Sequence, residues 1–175
     1  MQSVKVVVTG PFNAGKTTFI KAVSEITVLS TERQVSDASG EGGGETTVAM
    51  DFGRITISDD VVLYLFGTPG QERFSFMWET LSEGMLGFVL LVDATSKDSI
   101  RDAREMIGFF TEMSDVPFVA AANKVDAEDE AALESVRAEL ELTDSVPLLV
   151  VDARDKESVK AVLLGLLYRI LESMG

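Results

Sequence analysis

The sequence predicts an α/β fold, with a mostly parallel sheet covered by helices on both faces. Apolar, β-branched runs alternate with segments of helical period along all 175 residues. The later runs carry few polar residues, which is typical of strands buried on both faces. One hairpin pattern adds a single antiparallel strand at an edge. This length favours one domain, residues 1–175.

Six runs are expected to form the strands of this sheet. The first lies near the N-terminus, and the next two make the hairpin around Ser58-Asp59-Asp60. The strands are expected at Val4–Thr9, Val48–Ile57, Val61–Phe66, Gly87–Val92, Pro117–Ala122 and Val146–Val151.

Helices are expected between these strands. Ser96 and Asp155 are predicted N-caps, because each precedes an apolar stripe of helical spacing. A polar helix over Glu128–Leu140 is expected on the surface. The stripes are Ile100, Ala103, Ile107 and Phe110 after the first cap, and Val159, Val162, Leu163, Leu166, Leu167 and Ile170 after the second.

The composition argues against several classes of function. The chain has no cysteine and no histidine, which removes disulfides, thiolate metal sites and histidine-based catalysis. A net charge of −14 argues against a nucleic-acid partner. We expect no signal peptide, no transmembrane segment and no lipid anchor, and we expect a cytoplasmic location.

The most informative stretch of the chain runs from Gly10 to Thr17. It fits the phosphate-binding pattern G-x-x-x-x-G-K-[ST], and it lies between a predicted strand and a predicted helix. Backbone N–H groups and the positive end of the helix dipole converge there. We expect a β-phosphate at that point, with Lys16 on the β- and γ-oxygens and Thr17 on Mg²⁺.

Further motifs lie where open α/β sheets bind ligands, at the carboxyl ends of strands or in a loop facing them. They are Thr46-Thr47, Gly67–Phe74, Asn123-Lys124-Val125-Asp126 and Asp152–Arg154. Asp126 suits guanine, because a carboxylate accepts hydrogen bonds from both its ring N–H and its amino group. The alternative role for Asp126 is a helix cap, since a predicted helix follows it.

The polar segment from Ile26 to Glu45 interrupts the alternation of strands and helices. It ends in Gly40-Glu41-Gly42-Gly43-Gly44-Glu45, which favours a mobile loop. Its place between the phosphate-binding pattern and the second strand favours a ligand-responsive loop over a plain surface loop.

With these motifs in this order, the chain resembles the small GTPases of the Ras superfamily over nearly its full length. The resemblance implies a P-loop G-domain that binds GTP or GDP with Mg²⁺. It implies catalytic roles for Lys16, for Thr47 in switch I (about residues 26–47) and for Gln71 in switch II (about residues 67–80). The implied nucleotide-binding residues are Asn13, Ala14, Gly15, Lys16, Thr17, Thr18, Thr47, Gly70, Asn123, Lys124, Asp126, Asp152, Ala153 and Arg154.

In this resemblance Thr17 and Thr47 are Mg²⁺ ligands, Gly70 offers an N–H to the γ-phosphate, and Gln71 orients the attacking water. Ala153 contacts guanine through its backbone.

Departures from the family pattern narrow the subgroup. The family's D-x-x-G is Gly67-Thr68-Pro69-Gly70 here, so glycine replaces the magnesium-linked aspartate. Phe12 stands where Ras has glycine, and the stretch from Thr17 to Thr47 is longer than in Ras. With Pro69 and the run Thr47–Phe52, these features are similar to the prokaryotic gliding-motility polarity GTPases and their uncharacterised archaeal and bacterial relatives.

The predicted hairpin suggests what replaces the missing aspartate. If Ile57 pairs with Val61, Gly67 lies opposite Asp51, about 5 Å away between Cα atoms. We expect Asp51 to lean over Gly67 and to accept a hydrogen bond from a Mg²⁺-bound water. A slip of one residue would turn Asp51 to the other face. The alternative is that Asp51 is an edge-strand charge that prevents aggregation.

The expected function is a GTP-driven switch with slow hydrolysis, because Glu45 rather than arginine precedes Thr46-Thr47. Two alternatives remain open: a nucleotide-holding interaction module without hydrolysis, and another P-loop ATPase or kinase. A cluster of large apolar residues after Gln71 predicts an exposed contact for a regulatory or effector protein. Its members are Phe74, Phe76, Met77 and Trp78. The subgroup resemblance suggests a roadblock-type protein as that partner.

Overall fold

A computed structural model of the protein describes residues 2–36, 45–70 and 75–175. The strands across these residues are β1 Gln2–Thr9, β2 Leu29–Ser36, β3 Glu45–Ser58, β4 Val61–Gly67, β5 Gly87–Asp93, β6 Phe118–Asn123 and β7 Leu148–Val151. Within the described residues they form one sheet of seven strands, in the order β2-β3-β4-β1-β5-β6-β7. The strand β3 is antiparallel to both of its neighbours, and the other adjacent pairs are parallel.

Helices connect the parallel strands. They are α1 Lys16–Val23, α2 Phe76–Ser82, α3 Lys97–Met113, α4 Glu130–Glu139 and α5 Lys156–Met174. Successive residues of β1 explain why both faces of the sheet are covered. Val6 and Val8 join the apolar cluster under α1 and α5, whereas Val7 joins the cluster under α2, α3 and α4. The predicted fold class, a P-loop α/β fold with helices on both faces, is therefore confirmed.

The structure adds one strand to the predicted six. The strand β2 lies in the segment from Ile26 to Glu45 that the sequence predicts as a loop, and it pairs antiparallel with residues 45–52 of β3. The antiparallel strand β3 is consequently not at the edge of the sheet. A polar strand of this kind is typical of a sheet edge, where charged side chains limit association with other sheets. Residues 37–44, which hold most of the glycine-rich end of the predicted loop, lie outside the described residues.

The predicted N-caps lie where the helices begin. The Ser96 hydroxyl accepts a hydrogen bond from the N–H of Ser99 at 3.1 Å, and the Asp155 carboxylate accepts from the N–H of Glu157 at 3.3 Å. For α4 the cap is Asp129, which accepts from the N–H of Ala132. Asp126 is thus not the cap of this helix, and the alternative role predicted for it is wrong.

The parallel strands bring their carboxyl ends to one edge of the sheet. The ends of β1, β4, β6 and β7 lie there, each followed by one of the predicted motifs. Among the described residues, no helix is long and apolar enough to cross a membrane.

Candidate functional site

A cavity of about 920 Å³ opens at this edge of the sheet. Its volume is in the range of small-molecule sites in proteins. Its lining residues are Phe12, Asn13, Gly15, Lys16, Thr17, Thr18, Asp51, Thr68, Pro69, Gly70, Asn123, Lys124, Val125, Val151, Asp152, Ala153 and Arg154. One cavity therefore brings together residues from almost all of the predicted motifs. We call the part around Lys16 its loop end and the part around Lys124 its far end.

The loop end is built by residues 10–15, which connect β1 to α1. Gly15 has a φ of +107°, and a Cβ there would lie 2.7 Å from the side-chain nitrogen of Asn123. Both the backbone angle and the close contact require glycine. Since α1 begins at Lys16, its first backbone N–H groups are directed at the cavity.

Lys16 is held by the loop itself. Its Nζ donates hydrogen bonds to the backbone carbonyls of Gly10, at 2.5 Å, and of Pro11, at 2.9 Å. Burial lowers the pKa of Lys16 from the ordinary 10.5 to about 8, although the negative charge of Asp51 opposes this fall. The loop end thus holds an ammonium group that is partly desolvated and that loses its proton near pH 8.

Asp51 reaches the loop end from the neighbouring strand. The register places Asp51 directly opposite Gly67, as predicted, and the hydroxyl of Thr17 donates to its carboxylate at 2.5 Å. A Cβ on Gly67 would lie 3.3 Å from the Cβ of Asp51 and 3.0 Å from the Cδ1 of Ile20. The Asp51 side chain therefore extends over the position where a side chain of residue 67 would begin.

The hairpin differs from the prediction in one detail that leaves this register unchanged. Ser58 rather than Ile57 pairs with Val61, and the extra residue forms a bulge next to the turn. From the pair Thr56 and Val62 onwards the ladder follows the predicted register.

The turn after β4 is fixed from two sides. The Thr68 hydroxyl donates to the Thr9 hydroxyl at 2.8 Å, and the indole N–H of Trp78 donates to the carbonyl of Pro69 at 2.8 Å. Gly70, the next residue, packs so closely that a Cβ on it would lie 2.6 Å from the Nζ of Lys16. The buried ring of Trp78 thereby links the loop end to α2.

Asn123 connects the loop end to the far end. Its side-chain N–H donates to the carbonyl of Ala14 at 3.1 Å, and its side-chain oxygen accepts from the N–H of Ala153 at 3.3 Å. Asn123 and Ala153 line the cavity and Ala14 lies buried behind it. One amide side chain thus holds three separate motifs in a fixed arrangement.

The far end carries most of the charged side chains of the cavity. Arg154 donates to both carboxylate oxygens of Asp152, at 3.0 and 3.2 Å, and these bonds lower the pKa of Asp152. Lys124 has a φ of +66°, and its Nζ donates to Asp93 at 3.1 Å. Asp126 is exposed and lies just outside the lining, where its carboxylate accepts from the N–H of Glu128 at 3.0 Å.

Three predicted site residues within the described part of the chain do not line the cavity: Ala14, Thr47 and Asp126. Gln71 lies outside the described residues, as does Phe74. Thr47 lies in β3 opposite Gln34, four residues before Asp51. Four residues of an extended strand span about 13 Å, so the backbone of Thr47 lies well away from the pair Thr17 and Asp51.

Some lining residues were not predicted as site residues. They are Phe12, Thr68, Pro69, Val125 and Val151. Phe12, Thr68, Pro69 and Val125 lie inside the predicted motifs, and Val151 directly precedes Asp152. Including every position of each motif and the residue before it would have found them. Trp78 was predicted only as an apolar contact, although a buried tryptophan normally has a hydrogen-bond partner for its N–H.

The apolar cluster after Gln71 divides as expected between core and surface. The side chain of Trp78 is 5% exposed, whereas that of Phe76 is 52% exposed. Met77 packs against Met50 of β3. Phe76 therefore presents an aromatic ring to solvent at the start of α2.

Comparison with known proteins gives the family. Residues 8–173 match a family described as conserved hypothetical ATP binding protein. The chain belongs to this family.

Individual relatives include a protein named as GTP-binding. The chain is 34% identical to an uncharacterized protein of Methanocaldococcus jannaschii over 126 residues, which cover 72% of this chain and 73% of the relative. It is 27% identical to GTP-binding protein ypt1 of Schizosaccharomyces pombe over 74% of this chain and 67% of the relative. It is 25% identical to ADP-ribosylation factor-like protein 8c of Arabidopsis thaliana over 93% of this chain and 85% of the relative. The similarity to small GTPases thus extends over most of the chain, at low identity.

Proposed function

We propose that the protein is a guanine-nucleotide-binding switch, a single G-domain over residues 1–175 that binds GTP or GDP with Mg²⁺ and hydrolyses GTP slowly. The observation that carries the proposal is the bridge made by Asn123. This side chain joins the phosphate-binding loop, through Ala14, to the segment Asn123-Lys124-Val125-Asp126 and to Ala153. Phosphate binding and base selection would therefore occur at two ends of one cavity.

The loop end suits a polyphosphate. The glycine-rich loop and the N-terminus of α1 direct backbone N–H groups at the cavity. The ammonium of Lys16 would exchange the carbonyls of Gly10 and Pro11 for phosphate oxygens, which are stronger acceptors because they are charged. Asn13, Gly15 and Thr18 line the same end.

The oxygen atoms beside Lys16 suit Mg²⁺. The Thr17 hydroxyl and the Asp51 carboxylate lie 2.5 Å apart, and both are hard oxygen ligands of the kind that Mg²⁺ prefers. Thr17 would bind the ion directly and Asp51 would accept from one of its waters. The alternative role of Asp51, protection of a sheet edge, has less support because Asp51 pairs with Ser30 on one side and Gly67 on the other.

The far end supports guanine more than adenine. The carboxylate of Asp126 is oriented through its Oδ1, which accepts a hydrogen bond from the N–H of Glu128 at 3.0 Å. A carboxylate offers about four acceptor sites, so it can serve this N–H and two donors of guanine together. Asp152, Ala153 and Arg154 line the far end of the cavity. An adenine nucleotide is the second candidate, because the family description names ATP.

Switching would involve the segments on either side of the loop end. Thr47 would have to leave its pairing with Gln34 before it could contact Mg²⁺ bound at Thr17. Gln71 would orient the attacking water, and Gly70 would donate its backbone N–H to the γ-phosphate. Phe76, exposed at the start of α2, would contribute to the contact with a regulatory or effector protein, for which we propose a roadblock-type protein of the cytoplasm.

Nucleotide identification tests the proposed function most directly. The purified protein is denatured, and the released ligand is separated by anion exchange. We expect GDP or GTP. Release of ADP or ATP would favour the second candidate. A preparation that releases nothing is titrated with fluorescent GDP and ADP analogues, and failure to bind either would contradict both candidates.

The metal role of Asp51 gives a separate prediction. Mg²⁺ is expected to increase the GTP affinity of the parent protein. In Asp51→Ala we expect this increase to be about 10- to 100-fold smaller, because a residue that supports a metal site from outside its ligands usually contributes this much to metal binding. Affinity without Mg²⁺ should change far less. The measurement is GTP titration with Mg²⁺ and with EDTA, after circular dichroism has shown an intact fold.

Asp59→Ala is the matched control for this variant, because Asp59 is an exposed carboxylate in the turn of the same hairpin. It should respond to Mg²⁺ like the parent. An Asp51→Ala protein with the parent's Mg²⁺ response would refute the metal role.

A further inference from the structure

Asp93 lies just behind the far end of the cavity, at the carboxyl end of β5. Its side chain is 13% exposed and does not line the cavity. One carboxylate oxygen accepts from the backbone N–H of Thr95 at 2.9 Å and from the Thr95 hydroxyl at 2.6 Å. The other oxygen accepts from the Nζ of Lys124 at 3.1 Å. The two oxygens therefore serve different partners.

Lys124 is the partner that lines the cavity. Its backbone adopts the left-handed conformation, with a φ of +66°, and its side chain is half exposed. A long, exposed lysine side chain ordinarily samples many rotamers. Here the bond to Asp93 fixes its end, so that the aliphatic part of the side chain stays at the wall of the cavity.

The backbone around Asp93 strengthens this connection. Asp93 pairs with Asn123 in the parallel ladder, and the N–H of Ala94 donates to the carbonyl of Asn123 at 3.0 Å. The Ser99 hydroxyl accepts a hydrogen bond from the N–H of Asp93 at 3.1 Å. Burial alone would raise the pKa of Asp93, but the bonds from Thr95 and Lys124 outweigh it and lower that pKa. Asp93 is thus a fixed, charged acceptor.

We propose that Asp93 is a positioning residue for the nucleoside, acting through Lys124. This inference rests on the proposed function, because it assigns the far end of the cavity to the base and ribose. Asp93 would hold the lysine as a preformed wall against which the nucleoside packs. It would contact neither the nucleotide nor its metal.

The location of Asp93 predicts a specific pattern of effects. Loss of the charge of Asp93 should lower the affinities for GDP and for GTP by the same factor, because both nucleotides contain the same nucleoside. The Mg²⁺ response should stay as in the parent, because Thr17 and Asp51 lie at the other end of the cavity. Faster release of bound nucleotide should account for most of the change.

The experiment is a double-mutant cycle on Asp93→Asn and Lys124→Met, measured by binding and release of fluorescent GDP and GTP. We expect each single variant to lose roughly 3- to 10-fold in affinity, the usual cost of one charge-assisted hydrogen bond at a partly exposed site. In the Lys124→Met background, Asp93→Asn should cause no further loss of nucleotide affinity. Fully additive losses, or an Asp93→Asn protein that binds like the parent, would overturn the inference.

Thr95→Val is the structural control. It removes the hydroxyl bond to the same carboxylate but leaves the bond to Lys124. It should bind both nucleotides like the parent, whereas a loss equal to that of Asp93→Asn would show that Asp93 only shapes its own turn. If the parent binds ADP rather than GDP, the guanine assignment fails, and the same cycle with ADP still tests Asp93.

Discussion

Replacement of Lys16 by methionine is expected to lower nucleotide affinity by at least a hundredfold without destabilising the nucleotide-free protein. The loss comes from two charge-assisted hydrogen bonds to phosphate oxygens, each contributing about 1.5 kcal/mol or more. Together they amount to about 3 kcal/mol, which is about a hundredfold in affinity. Lys16 lines the cavity at the beginning of α1, and the other lysine of the lining, Lys124, is bound to Asp93 at the far end and so does not replace it.

Lys16→Met is expected to raise the free energy of unfolding of the nucleotide-free protein, whereas most substitutions of buried residues lower it. The pKa of Lys16 lies at about 8 in the folded protein instead of 10.5, so the charged form is disfavoured by folding. Between pH 8 and pH 10.5, Lys16 is therefore protonated more often in the unfolded chain than in the folded protein. The free energy of unfolding of the nucleotide-free protein rises with pH over this range. Methionine removes the charge, and we expect the free energy of unfolding at pH 7 to rise by about 1 kcal/mol.

The pH dependence of binding follows from the same pKa. Phosphate oxygens stabilise the protonated amine of Lys16. Above about pH 8 this amine is mostly deprotonated in the nucleotide-free protein, so that nucleotide binding is coupled to the uptake of a proton by Lys16. Nucleotide affinity of the parent should therefore fall as pH rises above 8, by up to about tenfold per pH unit. Titrations from pH 6.5 to 9.5 measure this slope, and Lys16→Met should not show it.

Lys21→Met provides the control for charge removal on the same helix, since Lys21 is an exposed residue in the last turn of α1. It should bind nucleotide within about twofold of the parent, as expected for an exposed charge away from the site. A Lys16→Met protein that binds within tenfold of the parent, or that unfolds more readily than Lys21→Met, would contradict this account of the loop end.

The parts of the site that were predictable from sequence are those fixed by local chain geometry. The loop Gly10–Gly15 could be located because a strand and a helix flank it. The pairing of Asp51 with Gly67 could be calculated from the turn, because residues in an antiparallel ladder have a constant index sum. The observed pair beside the turn, Ser58 with Val61, would shift the register by one residue, but the bulge at Ile57 restores the predicted register before the ladder reaches Asp51.

Features that depend on distant partners could not be predicted in the same way. The strand β2 has a polar sequence, and its pairing with β3 is what makes it a strand. The bonds of Lys16 to its own loop were missed because the motif describes the residue with a phosphate present. Asp93 was missed because its side chain is connected to the cavity through Lys124, which lies 31 residues away in sequence.

Under the proposed function, the choice between guanine and adenine would depend on Asp126. In Asp126→Asn we expect the affinity for GTP to fall about a hundredfold. One of the two hydrogen bonds to guanine is lost, because the amide N–H group of asparagine is a donor that faces a donor of the base. The other hydrogen bond remains but is no longer strengthened by a negative charge. Affinity for XTP should rise, since xanthine carries a carbonyl where guanine carries the amino group, and the new amide N–H can donate to it. ATP affinity should stay nearly constant.

The structure offers a reason why this substitution should leave the fold intact. The carboxylate oxygen that accepts from the N–H of Glu128 is matched by the carbonyl oxygen of asparagine, which forms the same turn. Asp129→Asn is the control, because Asp129 caps α4 close by and asparagine caps equally well. Competition of GTP, XTP and ATP against a fluorescent nucleotide gives all three affinities. If Asp126→Asn leaves the ratio of GTP to ATP affinity unchanged, Asp126 does not select the base, and the adenine nucleotide of the family description becomes the better candidate.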